Sequence, residues 1–501
     1  MSKTRLLAFL CFFAAACLTA QEKSGNTYNP KTPYTAEALQ ADIRILKKAL
    51  QEAHPGLYNY NSKQQIDQRF DSVLCSIQNP QTELQFFSTV SRLVASIGCG
   101  HTACLLAKEY KKQFEEKACR YFPFKIKIFE KQAFIIRNLS TDSTLICGSE
   151  IVSINGQSIA SILALLIPFI ASDGYNLTLK YRDMEDNFMY YYSEFISQPL
   201  WFSLQIKSPG DDLLRSITLP ALHLEEMQRI SKKRKGYRDL RLPKEKPLQF
   251  ELSSDNTAIL SIHSFDGRDI GSAHQHYRSV LRQAFDTIKY RGVNDLIIDL
   301  RNNGGGDDDN GWFLYSFLTD SVFRYYDRVE VASGKRFSFL KHTNRPPCLN
   351  LFHLFVKKDS AGRYIWTHGH YTQIHKPNEL NYRGSVFILI NGESFSATTE
   401  FAAVADFHKR AVFVGEETGG AYQGNNSGLE IMLTLPNSGV RVRIPIMKYV
   451  CAVGSNHKPG RGIMPDYTVI PSIDDILKGL DTEKEFTLDL IRRKHCKSCG
   501  K

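Results

Sequence analysis

Beyond its first twenty residues, this 501-residue chain has no stretch of ~18 uninterrupted apolar residues, which excludes a further membrane-spanning helix. It also has no internal repeat and no low-complexity segment. A formal charge of +11 has no single focus, and no nucleic-acid motif accompanies the one dense basic run, 232-KKRKGYRDLRLPKEK-246. That run reads as an exposed linker. Asp307 to Asp309 lack the rest of a calcium loop. Cys496 and Cys499 have no second pair of ligands nearby, which leaves a tail with a local disulfide rather than a zinc site.

What is present begins with a leader. Lys3, Arg5, an apolar run from Leu6 to Cys17 and small residues before Gln21 describe a secretory signal over 1–20, cleaved after Ala20. A lipid anchor on Cys17 is the alternative, and it alone would bring the chain to a membrane surface. Export implies a periplasmic location and a compartment that permits disulfides. Eleven cysteines less Cys11 and Cys17 leave an odd nine, so at least one thiol stays unpaired within the chain.

The length predicts two or three domains. Leu39, Ile43, Leu46 and Leu50 recur at the spacing of one helix face, ended by His54-Pro55-Gly56. A second helix is expected over about Lys63 to Ile77, and a third behind the capping box Thr82-x-x-Gln85, stopped by Gly98-Cys99-Gly100. Short apolar runs alternate with turns from Phe122 to Tyr175. Strands are expected at 257–265 and 295–300, a hairpin at 429–435 and 440–446, and an amphipathic helix from Ile473 to Ile491.

The centre of the chain is Val386 to Gly420. Val386 to Ile390 is a β-branched run, Asn391 and Gly392 form a turn, and Ser394-Phe395-Ser396 leads into an alanine-rich helix before a second strand, Ala411 to Val414. Such a β-α-β unit puts the serine turn at the carboxyl edge of a sheet, beside helix N–H groups able to stabilise an oxyanion. The plain alternative is that both serines only cap the helix.

This stretch, with its later Gly415-Glu416-Glu417-Thr418-Gly419-Gly420, resembles the nucleophile segment of the tail-specific, or C-terminal-processing, serine peptidases. LIIDLRNNGGG, Leu296 to Gly306, is similar to that family's second motif, and Gly462-Ile463-Met464-Pro465-Asp466 to a third. The resemblance implies an α/β core of the tricorn and crotonase-like spiral type, Ser396 as nucleophile, oxyanion donors at Ala397 and at Gly304 or Gly305, and no cofactor. Arg301 is expected to pair with a carboxylate, Asp299 being the candidate. One branch of the family uses a lysine base, but no lysine stands between Lys409 and Lys448. The tricorn-like branch uses a histidine in a glycine-rich turn, which ASIGCGHT matches at His101. A base with the ordinary histidine pKa of about 6.5 would lose activity on acidification through that value.

The family's supporting glutamate has no counterpart, since His457, Lys458 and Pro459 stand before Gly462. Glu416, Glu400 and Glu430 are the candidate orienters. 147-CGSEIVSINGQSI-159 resembles a PDZ signature, with a helix expected over 162–170, and implies a peptide-recruiting module or a structural one with a blocked groove. The expected layout is signal 1–20, helical region 21–118, PDZ-like domain 119–205, basic linker 206–250, peptidase core 251–470, and C-terminal helix and tail 471–501. The reading is a secreted serine endopeptidase for extended or unfolded polypeptides. The alternatives are an idle peptide-binding protein of the same fold and a non-peptidase acyl hydrolase.

Overall fold

Side-chain caps set the starts of the first three helices. Thr35 accepts the Ala38 N–H ahead of α1 (Ala36–Ala53), and reciprocal capping boxes at Ser62/Gln65 and Thr82/Gln85 open α2 (Lys63–Ser76) and α3 (Glu83–Ala95). These come from a computed structural model, which describes residues 28–115, 118–234, 246–253, 255–454 and 457–499. The expected leader lies outside them, as does the middle of the basic run. The three helices bury Leu39, Ile43, Leu46, Phe86 and Val90 in the same apolar core as the main α/β sheet.

After the short strand β1 (Ala103–Leu105) comes a separate module with its own core, from Cys119 to Met227. It comprises β2 (Phe124–Phe129), β3 (Gln132–Asn138), β4 (Glu150–Ile154), α4 (Ile159–Leu166), α5 (Thr178–Phe195), β5 (Trp201–Lys207), β6 (Leu214–Pro220) and α6 (Leu224–Lys233). Its sheet runs β2-β3-β4-β5-β6, leaving β2 on an edge. The boundary expected at 205/206 is therefore corrected. β5 crosses it, β6 pairs with β5 from Trp201 to Lys207, and Leu219, Leu222 and Met227 complete the module's core. Only 235–245, which is not described, is left for the linker. The helix expected over 162–170 begins earlier, capped by Ser158, and gives way to a 3₁₀ turn at Pro168.

The α/β core then follows as β7 (Leu248–Leu252), β8 (Thr257–Ile262), α7 (Tyr277–Arg291), β9 (Asp295–Asp299), α8 (Asp308–Ser316), β10 (Tyr326–Val331), β11 (Ser385–Ile390), α9 (Ala397–Phe407), β12 (Val412–Gly415), β13 (Asn426–Thr434), β14 (Arg441–Cys451), β15 (Tyr467–Thr468), α10 (Ile473–Lys478) and α11 (Thr482–Cys499). Its main sheet is ordered β15-β12-β11-β9-β8-β7, parallel except for β7. Both faces are buried, as a parallel sheet requires. Leu260, Ile298 and Ile388 point into the main core, while Ile259, Ile297, Phe387 and Leu389 meet Ile491 of α11. The single terminal helix expected over 473–491 is two, because Gly479 adopts a left-handed φ of 69° and closes α10. A second sheet joins β1, β14, β10 and two short strands, with β13 beside β14. Among the described cysteines Cys75, Cys99, Cys104, Cys451 and Cys496 are free thiols.

Candidate active site

β9 and β11 are adjacent parallel strands, so the loops leaving their carboxyl ends lie side by side. Two asparagines stitch them together. The Asn302 N–H donates to Asn391 Oδ1 at 3.0 Å, and Asn391 Nδ2 donates to Asn302 Oδ1 at 2.6 Å. Ser394 serves the same junction: its hydroxyl donates to the Leu300 carbonyl at 2.8 Å and accepts the Asn391 N–H at 3.0 Å. Ser396 is different. It sits at the head of α9 with φ 55° and ψ −128°, and its side chain makes no capping hydrogen bond. A non-glycine residue in that region stores about 1–3 kcal/mol of strain, which the surrounding loops must hold.

The hydroxyl so presented faces His101, whose Nε2 lies 3.1 Å from Ser396 Oγ. The imidazole stacks on Phe395 with ring centroids 4.6 Å apart, and Arg443 Nε donates to the His101 carbonyl at 3.0 Å. The next residue, Thr102, is fixed by a second buried histidine, His54, through a 2.8 Å contact with its hydroxyl. His54 takes the Gly56 N–H on Nδ1 at 3.1 Å, which leaves Nε2–H to donate to Thr102. Burial, aided by the positive charge of Arg443 and by His54, pulls the His101 pKa down to about 3. The group is therefore neutral throughout the ordinary pH range, and the expected loss near 6.5 does not belong to it.

Its far nitrogen, Nδ1, is buried and has no hydrogen-bond partner among the described residues. None of the three candidate orienters reaches it. Glu416 is held by Arg182 through both Nε and Nη2. Glu400 accepts from Tyr326 at 2.5 Å and Asn425 at 2.7 Å. The Glu430 carboxylate lies 3.8 Å from Arg443. Each therefore has a structural partner in place of the imidazole.

The glycine loop after β9 lies against the nucleophile: a Cβ on Gly305, at φ 98°, would stand 2.7 Å from Ser396 Cβ and 3.0 Å from the Ala397 nitrogen. The Gly305 N–H is already given to Asn303 Oδ1 at 3.0 Å. Those of Ala397 and Gly304 make no hydrogen bond among the described residues, so of the two glycines Gly304 keeps a free donor. Arg301 behind the loop pairs with Asp299, at 2.6 and 3.0 Å, and reaches further to Asp481 and Glu483 of the C-terminal segment. Among the described residues no three His, Cys, Asp or Glu side chains group as a metal site.

One contribution was not anticipated from sequence. The segment Ser172 to Thr178, between α4 and α5 of the module, is inserted among the site loops. Gly174 N–H donates to the Gly98 carbonyl, Asn176 Nδ2 to Thr418 O, the Thr178 hydroxyl to Glu417 O, and Asp173 accepts from Gly100 and Ala421. No local pattern marks these contacts, because each of these partners is distant along the chain.

A serine hydroxyl at a free helix N-terminus, beside a buried imidazole and at the carboxyl edge of a parallel sheet, defines a serine-type hydrolase. Residues 256–469 match the family model of peptidase family S41, a family of serine-type peptidases. Mature CPAF complexed with lactacystin has the same fold at 16% identity, with a TM-score of 0.63 over 92% of this chain and 98% of that one. A further structure of mature CPAF matches at 15% identity and TM-score 0.60, covering 88% and 94%. No curated protein sequence matches the chain.

Proposed function

We propose that the chain is an exported endopeptidase for extended or unfolded polypeptides, with Ser396 as nucleophile and His101 as general base. The observation that carries this reading is the 3.1 Å contact between Ser396 Oγ and His101 Nε2, made by a hydroxyl that caps nothing. In the reaction Nε2 takes the serine proton as Oγ attacks the scissile carbonyl. The oxyanion would receive the Ala397 and Gly304 N–H groups, and the imidazolium would return its proton to the leaving amine. Nδ1 must carry the hydrogen for Nε2 to accept one, and it does so without an acceptor. Stacking on Phe395 and the backbone tethers on either side of His101 then orient the ring.

The module from 119 to 233 supports recruitment by strand addition, since β2 is an edge strand. The Ile128 N–H on that edge, however, is donated to the Glu185 carboxylate at 2.7 Å, and Lys127 Nζ binds the same group at 2.8 Å. A recruited peptide must displace Glu185. The charged, apolar and small-residue order of the leader supports export with a chain starting at Gln21.

A fluorophosphonate probe tests the site without knowledge of the substrate. Wild-type protein should be labelled at Ser396, whereas Ser396→Ala should not label and His101→Ala should react at least about a hundredfold more slowly. Wild-type protein that fails to label would indicate an idle fold, and a His101→Ala variant labelled at the normal rate would sink the base assignment. The intact mass of labelled protein from the native host reads the N-terminus in the same experiment, where a lipidated Cys17 would overturn the soluble form.

A further inference from the structure

We propose that Asp173 is a positioning residue for His101, its ionised carboxylate fastening the peptide before the histidine to the segment after Gly420 and so setting the imidazole over Ser396. The inference rests on the Ser396 and His101 reading above. Asp173 comes from the module, not from the peptidase core, and is 2% exposed. One carboxylate oxygen accepts the Gly100 N–H at 2.8 Å and the other the Ala421 N–H at 3.3 Å. His101 is thereby held at both ends of its backbone, with Asp173 on the preceding N–H and Arg443 on its own carbonyl.

The space around this tether is filled. A Cβ on Gly100 would meet the Phe395 ring at 2.7 Å, the ring on which His101 stacks, so a shift of Gly100 displaces the imidazole as well. An imidazole normally takes its orientation from a carboxylate on Nδ1, and His101 has none. The carboxylate that orients it acts one peptide earlier, through the main chain.

Two acceptor oxygens facing two N–H donors suit an ionised carboxylate. A protonated one turns an O–H towards a donor and loses a hydrogen bond. The titratable groups that feel the Asp173 charge are Tyr60 from the loop after α1, Cys99 from the histidine turn and Glu400 from α9, all acids. No cation pairs with it among the described residues. Burial, opposed by the Gly100 and Ala421 N–H groups, raises its pKa to about 6. The sign follows: above about 6 the clamp is ionised and tight, and as pH falls through that value it loosens while His101, depressed to about 3, stays neutral.

The test is the second-order rate of fluorophosphonate labelling of the full chain between pH 8 and 4.5. Wild-type protein should show an acid limb near pH 6, falling about tenfold per pH unit. Asp173→Asn and Asp173→Ser, each able to satisfy only one donor, should label about ten- to a hundredfold more slowly at pH 8 and lose that limb. Two variants are made so that one folded protein suffices, judged by its near-ultraviolet circular dichroism. A flat wild-type profile overturns the proposal without any variant. So does a folded variant with wild-type rate, or one that keeps the limb at 6, since a merely structural aspartate would not own that titration. His101→Ala separates the two ideas. If it labels normally, the Ser–His reading fails, whereas a dead His101→Ala beside a normal Asp173→Asn sinks only this inference.

Discussion

At the scale of single residues, the site is organised by what its side chains do not do. Ser394 spends its hydroxyl on the loops, and Ser396 spends its own on nothing but His101. The cost is backbone strain at φ 55°, a conformation glycine adopts freely. Ser396→Gly should therefore be more stable than Ser396→Ala, by about 1 kcal/mol in chemical denaturation, although neither keeps the proposed nucleophile. Equal stabilities would mean that the turn relaxes when the side chain is removed. That Ser396 and His101 meet was readable because each lies in a short motif of its own. Asp173 was not, because its two donors stand 73 and 248 positions away and nothing in SDGYN marks a carboxylate that works through the main chain.

At the scale of elements, the parallel strands, the capped helices and the β13-β14 hairpin follow from local pattern: β-branched runs, Ser/Thr-x-x-Gln boxes and turn residues between alternating segments. The extent of the module did not, since Leu213 and Leu214 are exposed and β6 has a weak apolar alternation that reads as linker until β5 pairs with it. The same limit hid the ion network in which Arg182 bonds both Glu185 of its own helix and Glu416 of the peptidase core. Glu185 closes the β2 edge from within that network. If recruitment occurs between β2 and α5, an extended peptide should bind Glu185→Ala at least about tenfold more tightly than wild type, measured by fluorescence anisotropy on an inactive Ser396→Ala background. Unchanged affinity would place any peptide site elsewhere.

At the scale of the whole molecule, the C-terminal segment is tied to the site loops by one side chain. Arg301, beside the glycine loop, bonds Asp299 at its own strand end and Asp481 and Glu483 before and within α11, which covers the second face of the main sheet. Removing the cation strands three carboxylates around a largely buried position. Arg301→Ala should cost about 3 kcal/mol of stability and expose the chain near Gly479 to limited proteolysis. A variant with wild-type stability and protection would show that the apolar contacts of α11 and the pairing of Lys494 and His495 with Asp295 suffice to secure it.

The pair that meets at 3.1 Å is separated by 295 positions, and the clamp around it draws in the module, the stretch up to Ala421 and the loop at Gly460. A chain emerging from the ribosome makes the histidine turn early and the serine turn late, and folds domain by domain as it goes. On the proposed assignment, the nascent chain therefore carries no assembled pair until the serine turn and the stretch up to Ala421 have been synthesised. Under the proposed activity on unfolded polypeptides, the order of translation keeps the pair apart while the segments between its two halves are still being made.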